Sequence, residues 1–242
     1  MNNLPKTKNI ILVILLVYSL KSVSQNNIGS WNIININMKI DSKINVFTEA
    51  QLRSLSFYNE FHYYEFKAGI SYKINPNFSV TSGIGSYNTY SEGGNFELPM
   101  QNKEIRTWFQ INMKNPLQFV TFEHRYRAEQ RFTSNGYRNR FRYRIGATIP
   151  LNGKKIVPKS FYLSVWDELF FTDKEPYFER NRLFVGGGYE FNKKIALQMG
   201  YIYQFDYKIN DETGRDFLNI ALLYNFDLTK KEEKEFIPTT AD

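Results

Sequence analysis

The chain has no cysteine, only two histidines and no long apolar run beyond the first twenty residues. Without cysteine it forms no disulfides, so the fold must be held by its core or by a closed sheet. A protein built from membrane-spanning helices is excluded, because each helix would appear as an apolar run of about 20 residues. Catalysis that needs a histidine base has few candidates, and no zinc or calcium spacing is present.

The first residues have the three parts of a secretory signal peptide. A lysine-containing start is followed by the apolar run Ile10–Leu20 and by small residues before Gln25. This run of eleven residues is too short for a transmembrane helix, so we predict a cleaved signal over residues 1–24 rather than an uncleaved anchor. Cleavage removes three lysines and no acidic residue, which lowers the net charge from +7 to +4. The basic composition is therefore weak evidence for nucleic acid, and no such partner is expected.

After residue 28 apolar and polar residues alternate with a period of two, which predicts strands. "EIRTWFQINMK" (104–114) has Ile105 and Phe109 on one parity and Glu104 and Arg106 on the other. Many runs exceed the usual strand of about 5–6 residues and suit tilted strands of about 9–11 residues across a bilayer. The eleven runs cover residues 28–40, 43–54, 62–74, 78–88, 103–114, 117–132, 138–151, 160–172, 177–191, 194–208 and 215–228.

Single-chain bacterial barrels have even strand numbers, so the count of eleven runs indicates one miscounted strand. We predict an all-β, antiparallel, up-and-down transmembrane β-barrel of twelve strands, or ten as the alternative, over residues 25–228. Residues 229–242 are charged and do not alternate, which predicts a flexible tail. Short and longer links alternate, as is typical of periplasmic turns and outer loops. The short links are 75–77, 115–116 and 192–193, and the longer ones are 89–102, 133–137, 173–176 and 209–214.

Two consecutive runs, "FEHRYRAEQRF" (122–132) and "RNRFRYRIGATI" (138–149), each place their charges on one parity. Adjacent antiparallel strands would set two arginine columns side by side. Arginine suits confined, bidentate pairing with carboxylates, and glutamates such as Glu49 and Glu104 lie on the same polar faces. We predict a lumen charge network of Arg53, Arg106, Glu123, Arg125, Arg127, Glu129, Arg131, Arg138, Arg140, Arg142, Arg144, Glu168 and Arg182.

The apolar faces are predicted to point outward to lipid, because aromatics crowd their ends as in the interfacial girdles of membrane barrels. His62 and His124 share the parity of these apolar faces. Asp167 also shares the outward parity, and a bulge or a position near the rim would remove that conflict. The glycines at 186–188 lie within a strand, which indicates a bend or close side-chain stacking.

The segments "FEHRYRAEQRF", "YLSVWDELFF" and "RNRLFVGGGYEF" carry a resemblance to a known family. The chain resembles a family of small outer-membrane β-barrel proteins, classed as a domain of unknown function and frequent in Gram-negative bacteria, over residues 28–228. The resemblance implies an outer-membrane location, with outer-membrane lipid and the assembly machinery as partners. It supplies no catalytic residues. "FLNIALLYNF", ending at Phe226, is similar to the C-terminal signal read by that machinery, although residues 227–242 follow it.

A lumen lined by arginine and glutamate predicts a structural or narrow-pore role, with the charges paired across the interior. The alternative is a small porin selective for anions or acidic oligosaccharides, because rings of arginine select anions. An outer-membrane lipid-modifying enzyme is a further hypothesis. The chain offers this hypothesis no histidine on a polar face, and its adjacent carboxylates Asp167 and Glu168 point to opposite faces of the strand, so they cannot act as a pair. We predict no enzymatic activity, no cofactor and no metal, with small anionic solutes as candidate partners.

Overall fold

The computed structural model describes residues 28–229. The predicted signal peptide and, apart from Thr229, the predicted tail lie outside the described residues. Within 28–229, no helix is long and apolar enough to cross a membrane. The strands are β1 (Gly29–Lys39), β2 (Ile44–Ser56), β3 (Asn59–Asn75), β4 (Phe78–Tyr90), β5 (Met100–Leu117), β6 (Val120–Thr133), β7 (Gly136–Pro150), β8 (Phe161–Thr172), β9 (Phe178–Glu190), β10 (Ile195–Asp206) and β11 (Thr213–Asp227).

The eleven strands form a closed barrel in which each strand pairs with its neighbours in the chain. Ten of the pairs are antiparallel, and β1 pairs with β11 in parallel, from Gly29↔Phe217 to Lys39↔Asp227. Closure leaves no edge strand, so every strand has a hydrogen-bonding partner on both sides. The all-β closed barrel predicted from alternation is confirmed.

The predicted strand count of twelve, with ten as the alternative, is wrong, because residues 28–229 form eleven strands. An even number follows only if the first and last strands must pair antiparallel. With eleven strands β1 and β11 run in the same direction, and a parallel ladder satisfies their backbone groups. The eleven alternating runs therefore correspond one to one with strands.

The two rims of the barrel, here called the mouth end and the closed end, carry different connections. The mouth end has the start of β1 and the links 57–58, 91–99, 134–135, 173–177 and 207–212. The closed end has the end of β11 and the links 40–43, 76–77, 118–119, 151–160 and 191–194. Link length does not separate the two ends as predicted, because the closed end holds the ten-residue link and the mouth end holds two links of two residues.

Alternation along the strands sorts the side chains into an interior and an exterior. The interior of the barrel holds buried arginines, glutamates and glutamines together with a cluster of apolar residues that includes Trp31 and Phe184. The exterior carries large apolar side chains, among them Phe66, Phe109 and Phe141, each more than half exposed. Charged residues are thus enclosed by the sheet while apolar residues cover its outer surface.

Candidate functional site

Strands β6 and β7 place two columns of arginine in the lumen. Their register pairs Arg125 with Arg144 and Arg127 with Arg142. Like charges directly opposite each other destabilise a sheet, so carboxylates are needed nearby. Glu129 on β6 and Glu168 on β8 supply the nearest ones, and both are fully buried.

Seven arginines and four glutamates of β5 to β9 form one connected set of ion pairs, here called the lumen network. Its carboxylates each contact two or more arginines, and its shared arginines link one carboxylate to the next. Glu168 pairs with Arg142 (Nε, 2.9 Å) and Arg125 (2.6 Å), and Glu104 pairs with Arg106 (2.9 Å) and Arg131 (2.5 Å). Glu129 pairs with Arg142 (2.7 Å) and Arg106 (3.4 Å), and Arg127 and Arg140 lie 3.8 and 3.9 Å from it. Glu179 pairs with Arg140 (Nε, 2.8 Å), Arg138 (3.1 Å) and Arg131 (3.5 Å).

The other four predicted residues make contacts with further partners. Arg53 on β2 pairs with Glu65, 3.2 Å away. Arg144 stacks over the Trp166 ring, with 4.9 Å between the guanidinium carbon and the ring centroid. Glu123 pairs instead with Lys114 at 3.7 Å. The fourth residue, Arg182, donates from Nε to the side-chain oxygen of Gln204, 2.8 Å away.

Residues outside the predicted network complete the lumen. Lys67 contacts Glu49 at 2.7 Å and Glu65 at 3.1 Å, and all three are buried. Alternation in "YYEFKAGI" could have identified Glu65 and Lys67, because they have the parity opposite to Phe66. Glu179 carried no such signal. It is the unpaired residue of a register shift between β8 and β9, where Phe170 pairs with Arg180 and Phe171 with Phe178.

Between the lumen network and the mouth lies a cavity of about 890 Å³, here called the chamber. It is lined by residues of the mouth-end links, such as Glu92, Asn135 and Lys174, and reaches down to Trp31 and Phe170. Twelve lysine and arginine side chains and six aspartate and glutamate side chains line it. The chamber is therefore open at the mouth end and has an excess of positive charge.

Contacts between side chains and links hold the rim of the chamber. Arg215 donates to Glu92 at 2.5 Å, which ties β11 to the link after β4. Asn139 donates from its side-chain amide to Asp173 at 2.7 Å and from its backbone N–H at 3.1 Å. These hydrogen bonds from Asn139 hold the pKa of the Asp173 carboxyl below its ordinary value.

Aromatic side chains fill the lumen below the chamber. Trp108, Tyr162 and Phe184 are buried to within a few per cent and do not line the chamber. Glycines make room for these rings: a Cβ at Gly83 would collide with the Trp108 indole, and a Cβ at Gly188 would collide with the Tyr162 ring. The glycines at 186–188 thus serve close side-chain stacking. Together with the buried ion pairs, these rings occupy the interior, whereas barrels of sixteen or more strands leave a water channel.

The structure revises the predicted orientation of one of the two histidines. His62 is the unpaired residue of a register shift in which Arg53 pairs with Tyr63 and Ser54 with Phe61. This bulge explains why it is buried and lines the chamber, against the outward orientation that its parity predicted. His124 does share the outward parity, and its Nδ1 hydrogen-bonds to the Tyr143 hydroxyl at 2.9 Å.

Neither explanation proposed for Asp167 holds. It lies in the middle of β8, away from the rim, and the register shift of β8 falls three residues later, after Phe170. Asp167 is half-buried on the outer side and accepts a hydrogen bond from the Asn181 side chain at 2.8 Å. A neighbouring polar side chain, rather than a backbone irregularity, accommodates this carboxylate. Within residues 28–229, no group of histidine and acidic residues has the arrangement of a metal site.

Comparison with known proteins adds a family but no activity. Residues 28–215 match the family described as "Protein of unknown function (DUF2490)". No curated protein and no solved structure matched the chain. The family description names no cellular location, so the outer-membrane location expected from the resemblance stays a prediction.

Proposed function

The chain belongs to the DUF2490 family of proteins of unknown function, and from its own geometry we propose that the protein is a non-conducting outer-membrane β-barrel of a Gram-negative bacterium. In this proposal the lumen network and the aromatic side chains close the barrel to through-transport. The chamber is a blind, positively charged pocket that opens on one side of the membrane.

The distribution of side chains supports the membrane location. Exposed apolar residues lie on the outer surface of successive strands, as Ile34 (50%), Phe66 (59%) and Phe109 (51%) illustrate. Soluble monomers rarely expose a continuous apolar surface beyond a few hundred Å². Enclosing the arginines avoids a cost of about 2–4 kcal/mol for each arginine that faces lipid at mid-depth.

The same proposal assigns the closed end to the periplasm. The last strand ends at the closed end with Asp227, directly after Phe226, and "FLNIALLYNF" resembles the signal read by the assembly machinery. The chamber would then open to the cell exterior. Outer-membrane lipid and the assembly machinery are its proposed partners.

The filled lower lumen is the observation that supports a non-conducting barrel over an open pore. Trp108, Arg125 and Gln198 are each at most 3% exposed although their side chains point into the barrel. A continuous water path would leave such side chains accessible. The proposed role is therefore structural or ligand-binding. We propose no catalytic turnover, because only His62 of the two histidines reaches the chamber, and within residues 28–229 its Nδ1 has no hydrogen-bond partner to orient it as a base.

Planar-bilayer recording tests this proposal. The purified protein is expected to insert without steady single-channel steps, while a general porin reconstituted in the same bilayers conducts. Insertion is verified separately by flotation of the protein with lipid vesicles. Steady steps from the wild-type protein contradict the closed barrel.

A second candidate, a narrow anion-selective pore, is favoured by one observation. Cationic side chains outnumber anionic ones twelve to six around the chamber, and arginine-lined pores select anions. Conductance with a reversal potential that follows the chloride gradient would favour this candidate.

A further inference from the structure

One arginine of the chamber differs from the others in its partners. Nine arginines line the chamber. Eight of them form an ion pair with glutamate or aspartate: Arg53, Arg106, Arg131, Arg138, Arg140, Arg142, Arg180 and Arg215. Arg182 forms no ion pair with any carboxylate of residues 28–229, although it is only 7% exposed.

The immediate contacts of Arg182 leave its terminal nitrogens without an acceptor. Its Nε donates to Oε1 of Gln204 at 2.8 Å. Its guanidinium carbon lies 4.8 Å from the ring centroid of Trp31 and 4.7 Å from that of Phe170. Aromatic rings attract a cation but accept no strong hydrogen bond. Within the described part of the chain, the two terminal nitrogens therefore have no hydrogen-bond partner.

The same two rings hold further cations beside Arg182. The guanidinium carbon of Arg53 lies 3.4 Å from the Trp31 centroid. Those of Arg142 and Arg180 lie 4.6 Å and 5.9 Å from the Phe170 centroid. Burying a cation among like charges is costly unless a counter-charge is present. Glu168 is the register partner of Arg182 on β8, but it pairs with Arg125 and Arg142. Within residues 28–229, no carboxylate therefore forms an ion pair with Arg182.

We propose that the floor of the chamber is an oxyanion site, centred on Arg182 and flanked by Arg53 and Arg180, which binds the phosphate or carboxylate group of a small solute. The planar guanidinium fork matches either group through two parallel hydrogen bonds. A chamber of about 890 Å³ lies within the range of small-molecule sites, about 300–1,000 Å³. The proposal deepens the proposed function and depends on it only for the side from which the solute enters.

Titration calorimetry on the purified protein, folded in detergent, tests the site with two probes, inorganic phosphate and glucuronate, at constant ionic strength. Arg182→Gln is expected to weaken binding at least about tenfold, the effect of losing one charge-assisted pair. Arg138→Gln is the matched control, because it removes the same charge from an arginine that lines the chamber and pairs with Glu179. That control is expected to change the affinity less than about threefold.

A second variant keeps Arg182 and supplies a carboxylate from within the protein. Gln204→Glu places a carboxylate where Gln204 already accepts from Arg182 at 2.8 Å. It is expected to abolish binding of either probe, because it gives Arg182 a counter-charge and replaces the amide that donates to Oδ2 of Asp206 at 2.6 Å with a second negative charge.

The outcomes separate this proposal from the closed-barrel proposal. Binding of phosphate alone, or of glucuronate alone, with the expected dependence on Arg182 supports the site and identifies the ligand group. Binding of neither probe, equal losses in Arg182→Gln and Arg138→Gln, or undiminished binding in Gln204→Glu overturns it. None of these measurements depends on conductance, so a conducting barrel could still hold the site, and a closed barrel could lack it.

Discussion

Replacing Glu168 with glutamine is expected to destabilise the barrel strongly. The carboxylate is 1% exposed and accepts three hydrogen bonds. Two come from Arg142, from Nε at 2.9 Å and from a terminal nitrogen at 3.0 Å, and one comes from Arg125 at 2.6 Å. Glutamine preserves the shape but removes the charge and one of the two acceptor oxygens. Its amide also turns a donor towards buried guanidinium groups.

The magnitude follows from the environment of the pair. Removing one partner of a buried ion pair costs about 3–5 kcal/mol, because the remaining charge stays buried. Arg142 keeps a second carboxylate, Glu129, at 2.7 Å, which limits the loss at that residue. We therefore expect a decrease of about 3 kcal/mol in the free energy of unfolding.

Urea unfolding of the protein in lipid vesicles, followed by tryptophan fluorescence, measures this change, with Trp166 close to the substituted residue. The control is Asp167→Asn, the same chemical change one residue away on the opposite face of β8. Asp167 is half-buried and accepts one side-chain hydrogen bond, from Asn181. An asparagine can keep that bond, so a shift below about 1 kcal/mol is expected. Equal unfolding midpoints for Glu168→Gln and the wild type would refute the reasoning that the lumen network holds the barrel.

Two further predictions concern topology and packing. Because the chain has no cysteine, single-cysteine variants at Leu98 and Leu151, both well exposed, can be labelled selectively. In intact cells a membrane-impermeant maleimide is expected to label Leu98→Cys at the mouth end and not Leu151→Cys at the closed end. The reverse labelling would invert the proposed orientation. Gly83→Ala is expected to lower the free energy of unfolding by about 1–3 kcal/mol, because its methyl group would collide with the Trp108 ring. Gly153→Ala, where the nearest atom is 3.7 Å away, should leave the urea midpoint unchanged, and equal midpoints for the two variants would contradict this packing.

Alternation showed which residues of β6 and β7 share a face, and the arginines and glutamates of that face predicted that it lines the lumen. The charged parity from Arg125 to Arg131 and that from Arg138 to Arg144 both lie on the inner side. The signal is local, because in a strand the direction of each side chain is set by its immediate neighbours. The same periodicity separated all eleven strands.

Register shifts are where this local signal failed. His62 and Glu179 both share the parity of outward residues, yet both line the chamber, because one extra residue in each strand breaks the alternation. A bulge depends on how two strands pair, and nothing in the alternation of either strand alone identifies it. The number of strands was missed for a related reason, because the parallel pairing of β1 with β11 joins residues 188 positions apart, as Lys39 and Asp227 illustrate.

The period of two in the chain thus predicted the barrel and its strands, and the charges and aromatic residues of the two faces predicted the inward direction of the arginines, since each depends on residues close in sequence. The closure with eleven strands, the filled lower lumen and the solitary position of Arg182 depend on which distant strands face each other across the interior. Ion pairing in the lumen depends on how the strands face each other. Within residues 28–229 Arg142 pairs with Glu168 and Arg182 pairs with no carboxylate, although both arginines stand at equivalent positions of an alternating strand.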